Sequence, residues 1–494
     1  MNYLSLILII PLAGAGLLAL FEQIRKYLVK IKINVDILNH AFANVVAFGI
    51  FVFSFVSIFV NGIWSVNTTS DGLLEFGQLQ SILITIFSFL VWMAVLFSVD
   101  YMKGKNGLGY YYALILTLLS GLSAVTMANN FFTLFIGWEM FALSGYTLVA
   151  FDRMKRGAVE ASLKYFIMST VGSMFVLLGT ALTYGRFGTV NFVAVKAALG
   201  SSNPTNPLTG AIVALFVIGF GVTSAVIFLN AWLPDAHSSA PSTISALLSG
   251  IVVKAGAFGI FRTIITAFGN TNILPYTSVF ISWIAIFTMF EGNFLVFYQF
   301  RRSDIVDFKR ILAYSTTVHL GYILLGIGAG TDVGVQASIF HILTHSLGKG
   351  SLFLLSGIII AALGSRDVRD MKGLGRRSPL IGIFLTIALL SLGGIPITAG
   401  FYSKLLVIVS AAGGLYSPTM NVLIVIMAIL NSLLALGSYL YILKIMLFDE
   451  PDAKAVDKIE IPIIQTIVMS IMVVLIIFLG IWPDSILHFI GLVV

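Results

Sequence analysis

Glu139, Lys254, Lys349 and Lys404 are embedded in long apolar segments that read as membrane-spanning helices, with Lys164 nearer the end of another. Ionisable groups at bilayer depth are expensive and mark ion or proton paths. Burial disfavours the charged form of both amines and carboxylates, so such groups can load and release protons. His341, His345 and Lys349 follow one another at i, i+4 and i+8, which stacks three proton-exchanging side chains on one helix face. Histidine titrates near neutrality, so the row resembles a segment of proton wire, and His319 stands in the preceding helix. Lys404 follows Gly393-Gly394-Ile395-Pro396, an interruption whose unpaired backbone groups water can solvate.

Simpler readings stand beside these. Glu139 could be a packing glutamate, Lys254 a static salt-bridge partner, and the histidine row a satisfied polar seam between helices. Two histidines at i and i+4 could hold zinc, although no acidic or third histidine ligand accompanies them. Lys164, Lys444 and Arg262 lie nearer helix ends, where snorkelling to the interface is expected. Glu291 is ambiguous, and Asp235 with His237 read as interfacial capping and loop residues.

The elements that must position these groups follow from composition. Of 494 residues, 59% are hydrophobic and 10% charged, with mean hydropathy +1.03, so the chain is expected to be an all-α polytopic membrane protein. Its 46 Gly permit close helix contacts where lipid removes the hydrophobic drive. The chain has no Cys, which excludes disulfides, thiolate metal sites and cysteine-held iron–sulfur clusters. No phosphate loop, nucleophile–base set or cofactor fingerprint is present either. No catalytic, cofactor-binding or metal residue is therefore expected, and any redox chemistry belongs to another chain.

At about 20 apolar residues per crossing, the sequence predicts fourteen helices: 3–21, 36–61, 78–99, 108–128, 130–152, 160–185, 209–232, 240–268, 274–300, 305–329, 334–363, 379–412, 419–447 and 461–482. The first is read as a retained helix, since no basic stretch or small-residue cleavage site marks it as a cleaved signal. Twenty of the 28 Lys and Arg fall in odd-numbered loops or the helix ends beside them, among them Arg25, Lys105, Arg153, Lys155, Lys309, Arg366, Lys454 and Lys458, against Arg186 and Lys196 in even-numbered ones. Cytoplasmic loops collect positive charge, so both termini are expected on the outer side of a prokaryotic plasma membrane. The net charge of +7 is explained by topology and implies no nucleic-acid partner.

Two interruptions, in and after helix 7 (Ala231 to Pro241) and within helix 12 (Gly393 to Pro396), lie five helices apart. They suggest inverted five-helix repeats of the transporter kind. The expected division is 1–128 for helices 1–4 (helix 4 opening the first repeat), 108–268 for the first repeat, 274–447 for the second, and 448–494 for helix 14.

The run Trp232-Leu-Pro-Asp-Ala-His237 with Ala240-Pro241, the helix bearing Gly137-Trp138-Glu139, Lys309-Arg-Ile-Leu-Ala-Tyr-Ser315 before His319, and His341 to Lys349 together carry a family likeness. They resemble the antiporter-like membrane subunits shared by complex I, Mrp-type sodium/proton antiporters and energy-converting membrane-bound hydrogenase and sulfane reductase complexes. The resemblance covers nearly the whole chain. It implies a glutamate on helix 5, lysines on helices 7 and 8, a polar helix 11 and a lysine or glutamate on broken helix 12, joined in a hydrated axis along the membrane plane. Glu139, Lys254, Lys349 and Lys404 match these positions.

One position departs from the pattern. Where the family places its helix 7 lysine, nine residues before Trp232, this chain has Thr223; Phe228 and Asn230 replace a proline and a histidine that usually follow. The expectation is a less broken helix 7 and an altered or silenced N-terminal half-channel, with the C-terminal relay kept. The function implied is proton or sodium/proton translocation within a redox-driven respiratory complex. Its partners would be other antiporter-like subunits and a peripheral redox module carrying the iron–sulfur clusters. A non-conducting structural subunit and a subunit of a stand-alone Mrp-type antiporter remain the alternatives. On resemblance alone, hydrogen-evolving and sulfur-reducing complexes are the favoured context over a quinone-linked one.

Overall fold

The computed structural model describes residues 3–32, 34–59, 67–69, 72–200, 206–269, 273–451 and 458–491; Lys454 lies outside the described residues. The described chain is almost entirely helical, with one short antiparallel pair, Asn67–Thr68 against Glu75–Phe76. Among these residues twelve helices are long and apolar enough to cross a membrane, from Ser5–Gln23 to Ile463–Ile481. A thirteenth is added if Val368–Arg377 and Pro379–Gly393, bent by 115°, count as one span. Pro207, Pro379 and Pro418 open helices, a place where proline's missing N–H is no loss. Gly188 and Gly364 close two others at φ 67° and 66°, the left-handed cap that glycine adopts without a Cβ clash.

Burial sorts the helices by polarity. In an 18-residue apolar stretch of each, 94% of the residues are buried in Ser242–Ala267 and in Phe308–Gly328 and 78% in Asp332–Leu363, against 28% in Ser5–Gln23 and 22% in Pro418–Phe448. Lys254, His319, His341, His345 and Lys349 all ride on the three enclosed helices. Polar side chains thus gather inside the bundle while the rim helices turn apolar faces outward.

Two helices are broken in the same way. Pro207–Thr223 stops at Thr223; Ala225 and Phe228 take φ 46° and 65°, and helix resumes at Trp232–Ser239. Pro379–Gly393 stops at Gly394 (φ 83°), Ile397 takes φ 74°, and helix resumes at Ala399–Ala412. The expected helix 209–232 is therefore interrupted directly after Thr223, and the expectation that Phe228 and Asn230 leave it less broken is corrected. Left-handed backbone costs a non-glycine residue about 1–2 kcal/mol, and contacts from outside the segment hold it there. The Ile227 N–H donates to Thr288 Oγ1 at 3.0 Å, the Phe228 N–H to both Glu291 carboxylate oxygens at 3.3 Å, and Asn230 Nδ2 to Glu291 Oε2 at 2.8 Å. Trp232 Nε1 donates to the Val222 carbonyl at 2.9 Å, which also accepts the Ala225 N–H at 3.1 Å. At Gly256 the neighbouring helix lies on the end of this segment so closely that a Cβ would sit 2.7 Å from both Phe220 O and Ser224 N.

Two further expectations are corrected. Arg262 does not snorkel: it is 3% exposed, and its Nη2 meets Glu75 Oε1 at 2.6 Å. Glu75 is 187 residues earlier in the chain, out of reach of any local reading. His237 is not an interfacial loop residue, because Trp232–Ser239 folds as a helix packed inward and the imidazole is fully buried. Lys164 and Lys444 do extend outward, to Glu160 and Asp235 at 2.9 Å each and to Asp449 at 3.2 Å.

Candidate functional site: a buried polar seam

Lys254 is fully buried beside a π turn, Leu248–Val252, in its own helix. Such turns free carbonyls from the regular ladder and are frequent at functional sites. Lys254 Nζ donates to the Ser249 carbonyl in that turn, and the Ser249 hydroxyl pairs with Thr316 Oγ1 at 2.7 Å. Thr316 Oγ1 donates to Leu312 O at 2.9 Å, and the same carbonyl accepts Lys349 Nζ at 2.9 Å. Lys349 also donates to Ser315 Oγ. The two lysines are thus joined through hydroxyls and one shared carbonyl, with no carboxylate between them.

One turn before Lys349, His345 is buried with neither ring nitrogen hydrogen-bonded. Its ring centroid lies 4.6 Å from that of His319. His319 shares a hydrogen bond with His341 (Nδ1 to Nε2, 3.1 Å) and another with the Tyr439 hydroxyl at 3.1 Å. His341 Nδ1 reaches Ser403 Oγ at 3.0 Å, and the next residue is Lys404. Lys404 Nζ donates to Gly393 O at 3.1 Å and Ser432 Oγ at 3.2 Å, and lies 5.2 Å from the Tyr322 ring centroid. The Gly393 carbonyl is one of those the break in that helix leaves unpaired, so the interruption makes the ligand for the lysine.

The structure therefore brings Lys254, Lys349, His345, His319, His341 and Lys404 into one buried succession. Among the described residues no three His, Cys, Asp or Glu side chains gather as a metal-ion ligand set. Glu139 stands apart from this succession. Its Oε1 is buried without a hydrogen-bond partner, as are Trp138 Nε1, Ser123 Oγ and Ser224 Oγ. Thr223, 1% exposed, ends its helix at the break and brings no charge. Buried polar atoms left unpaired by protein are seats for ordered water.

Sequence reasoning found the ionisable groups but missed the hydroxyls that link them: Ser249, Ser315, Thr316, Ser403 and Tyr439. The Ser315-Thr316-Thr317 run, one turn before His319 in an otherwise apolar helix, was the available signal. On the basic face, the hydrogen bond from Lys155 and the charges of Lys155 and Lys105 hold the Asp152 carboxyl below the usual carboxylate range, against its partial burial.

The family described as NADH:quinone oxidoreductase/Mrp antiporter, transmembrane, matches residues 128–435. NADH-quinone oxidoreductase subunit N of Alkalilimnicola ehrlichii is 30% identical over 423 residues, spanning 85% of this chain and 83% of that one. F(420)H(2) dehydrogenase subunit N of Methanosarcina mazei is 28% identical over 97% of this chain and 93% of its own. A chain of the membrane-bound sulfane sulfur reductase, an archaeal respiratory membrane complex, superposes with a TM-score of 0.86 at 27% identity, covering 99% of this chain and 96% of that one. The chain belongs to the NADH:quinone oxidoreductase/Mrp antiporter transmembrane family.

Proposed function

We propose that this chain is the proton-translocating, or sodium/proton-exchanging, antiporter-like subunit of a redox-driven membrane respiratory complex. The observation that carries this reading is the enclosed succession of protonatable groups from Lys254 to Lys404: hydroxyls and a carbonyl join Lys254 to Lys349, His345 packs against His319, and hydrogen bonds run from His319 through His341 to Ser403 beside Lys404. A charged side chain at bilayer depth costs about 2.5–3.5 kcal/mol on insertion scales. Three lysines without a carboxylate partner along the seam are hard to account for by stability alone. Protons would step between neutral and charged forms of neighbouring amines and imidazoles, each transfer assisted by a hydroxyl or a bridging water.

In this reading the chain crosses the membrane fourteen times, Pro207–Thr223 and the Pro379–Gly393/Ala399–Ala412 pair supplying the two broken crossings. The termini lie outside a prokaryotic plasma membrane, in keeping with the Lys and Arg bias. The inverted repeats are 108–268 and 274–447, flanked by 1–128 and 448–494. Thr223 leaves the half around Glu139 without its lysine, so transport runs through Lys349 and Lys404. Partner subunits supply further antiporter-like channels and the iron–sulfur clusters that this cysteine-free chain cannot hold. The likeness to a chain of the membrane-bound sulfane sulfur reductase supports a sulfur-reducing setting, and the likeness to subunit N of NADH-quinone oxidoreductase supports a quinone-linked one.

Thr223 and the orphaned Glu139 oxygen favour a second reading, a structural or coupling subunit that conducts nothing. Lys404→Ala separates the two: in the purified complex reconstituted in liposomes, it is expected to abolish ion translocation by this subunit at undiminished electron transfer. Unchanged translocation would point to the structural role. Purification of the chain with no redox module would point instead to a stand-alone Mrp-type antiporter.

A further inference from the structure

His237 has no part in the seam described above, yet its surroundings are those of a working group. The imidazole is completely buried, and neither Nδ1 nor Nε2 has a hydrogen-bond partner. It stacks on Phe353, ring centroids 4.6 Å apart and planes within 13°. Phe353 is one helical turn beyond Lys349 on the same helix. The residues that follow it, Ser238 to Ser242, line a cleft of 1660 Å³ on the basic face together with Lys105, Asp152, Lys155, Lys309 and Arg366 among others. The floor of the cleft is the chain immediately after His237. Two cations from other parts of the molecule pin it: Lys309 Nζ donates to Ala240 O at 2.7 Å and Arg366 Nη1 to Ser238 O at 2.6 Å. Lys309 is itself only 4% exposed, at the bottom of the cleft. The charged groups that bear on His237 are Lys309 from the cleft side and Lys349 and Lys254 from the seam side. An unpaired buried imidazole is costly, and this one lies next in the chain to the cleft-lining Ser238 while its ring stacks on Phe353, one turn from Lys349.

The geometry points to His237 as the proton-loading station between the basic-face cleft and the seam, with Lys309 and Arg366 fixing the floor that separates them. This rests on the transport reading above. A hydronium ion in the cleft gives its proton to one ring nitrogen of neutral His237, leaving water and an imidazolium. The other ring nitrogen then releases its proton, directly or through a water, to the neutral amine of Lys349 or Lys254. The ring returns to its neutral state as the other tautomer, and no net charge stays behind. Histidine suits the step because its two nitrogens can accept on one side and donate on the other.

The test uses His237→Ala and His237→Gln in the intact complex in liposomes, with proton translocation and electron transfer read separately. Both variants are expected to lose this subunit's whole share of the protons moved per electron pair, the same loss as Lys404→Ala, while the complex stays assembled. Imidazole added on the cleft side should restore His237→Ala, whose missing ring leaves space beneath the cleft floor, and should do nothing for His237→Gln. Full translocation in both variants, or a loss in His237→Ala that imidazole leaves untouched, overturns the inference. Lys404→Ala measured in parallel keeps the two claims apart. If Lys404→Ala stops translocation and His237→Ala does not, the inlet is wrong and the transport reading stands; if neither has any effect, the transport reading itself falls.

Discussion

The buried pair Glu75–Arg262 offers a stability prediction whose size can be worked out. Arg262 is enclosed, its Nη2 held by Glu75 Oε1 at 2.6 Å and by the Ala128 carbonyl at 2.5 Å, with its guanidinium 4.6 Å from the Phe192 ring centroid and 5.8 Å from that of Phe258. Removing one member of a buried ion pair leaves an uncompensated charge and costs about 3–5 kcal/mol. The ring contacts, worth roughly 0.5–2 kcal/mol, and the Ala128 bond survive but are already present in the parent, so they offset nothing. Glu75→Ala should therefore lose about 3–5 kcal/mol. Glu75→Gln, which keeps one neutral acceptor of roughly half the strength, should lose about 2–3 kcal/mol. In the double variant Glu75→Met/Arg262→Met no charge is left to desolvate, and stability should return to the parent value or exceed it. The assay is equilibrium unfolding in mixed detergent micelles, followed by tryptophan fluorescence. A Glu75→Ala cost below about 1 kcal/mol, within the range of a surface pair, or a double variant no better than the worse single one, would refute the reasoning.

Other outcomes follow from the same contacts. Thr223→Lys places an amine at the break, where the resemblance drawn from the sequence implies one, and ion translocation by the complex should change; no change at all would remove the case for an altered N-terminal half. A Cβ on Gly400 would sit 1.7 Å from the Ser391 carbonyl, so Gly400→Ala must displace the broken helix bearing Lys404 and should impair translocation. Gly437, with nothing within 4 Å of its Cβ position, is the control: Gly437→Ala should leave transport intact and stabilise by about 0.5–1 kcal/mol. Glu291→Gln replaces a charged acceptor by a neutral one at Phe228 and Asn230, and hydrogen exchange of the Phe228 amide should accelerate severalfold. An unchanged rate would mean the break is held by something else.

The ionisable residues were legible in the sequence because a lysine or histidine inside an apolar run has few tolerable explanations, and the buried lysines and the histidine row of the seam were all found that way. The break in helix 12 was legible too, since Gly393-Gly394 and Pro396 forbid a regular ladder. The break after Thr223 was not. Val226-Ile227-Phe228-Leu229 is as apolar as any helix, and its left-handed turns are imposed by Thr288 and Glu291 some 60 residues later. Arg262 was misread for a related reason, because its partner Glu75 precedes it by 187 residues and burial is a property of the packed bundle. His237 sits in a Pro-, Asp- and Ser-rich stretch that has the local chemistry of a loop; only packing against Phe353 makes it core. The linking hydroxyls escaped notice because serine and threonine are common in membrane helices and acquire meaning only from what faces them.

The central claim, that Lys254, Lys349 and Lys404 belong to one connected path, is tested most directly by the number of ions moved per electron pair in complexes carrying Lys349→Met, Lys404→Met and both together. A single path predicts that each substitution alone removes this subunit's whole contribution and that the double variant loses nothing more. Undiminished stoichiometry in either single variant, or partial losses that add in the double, would contradict it.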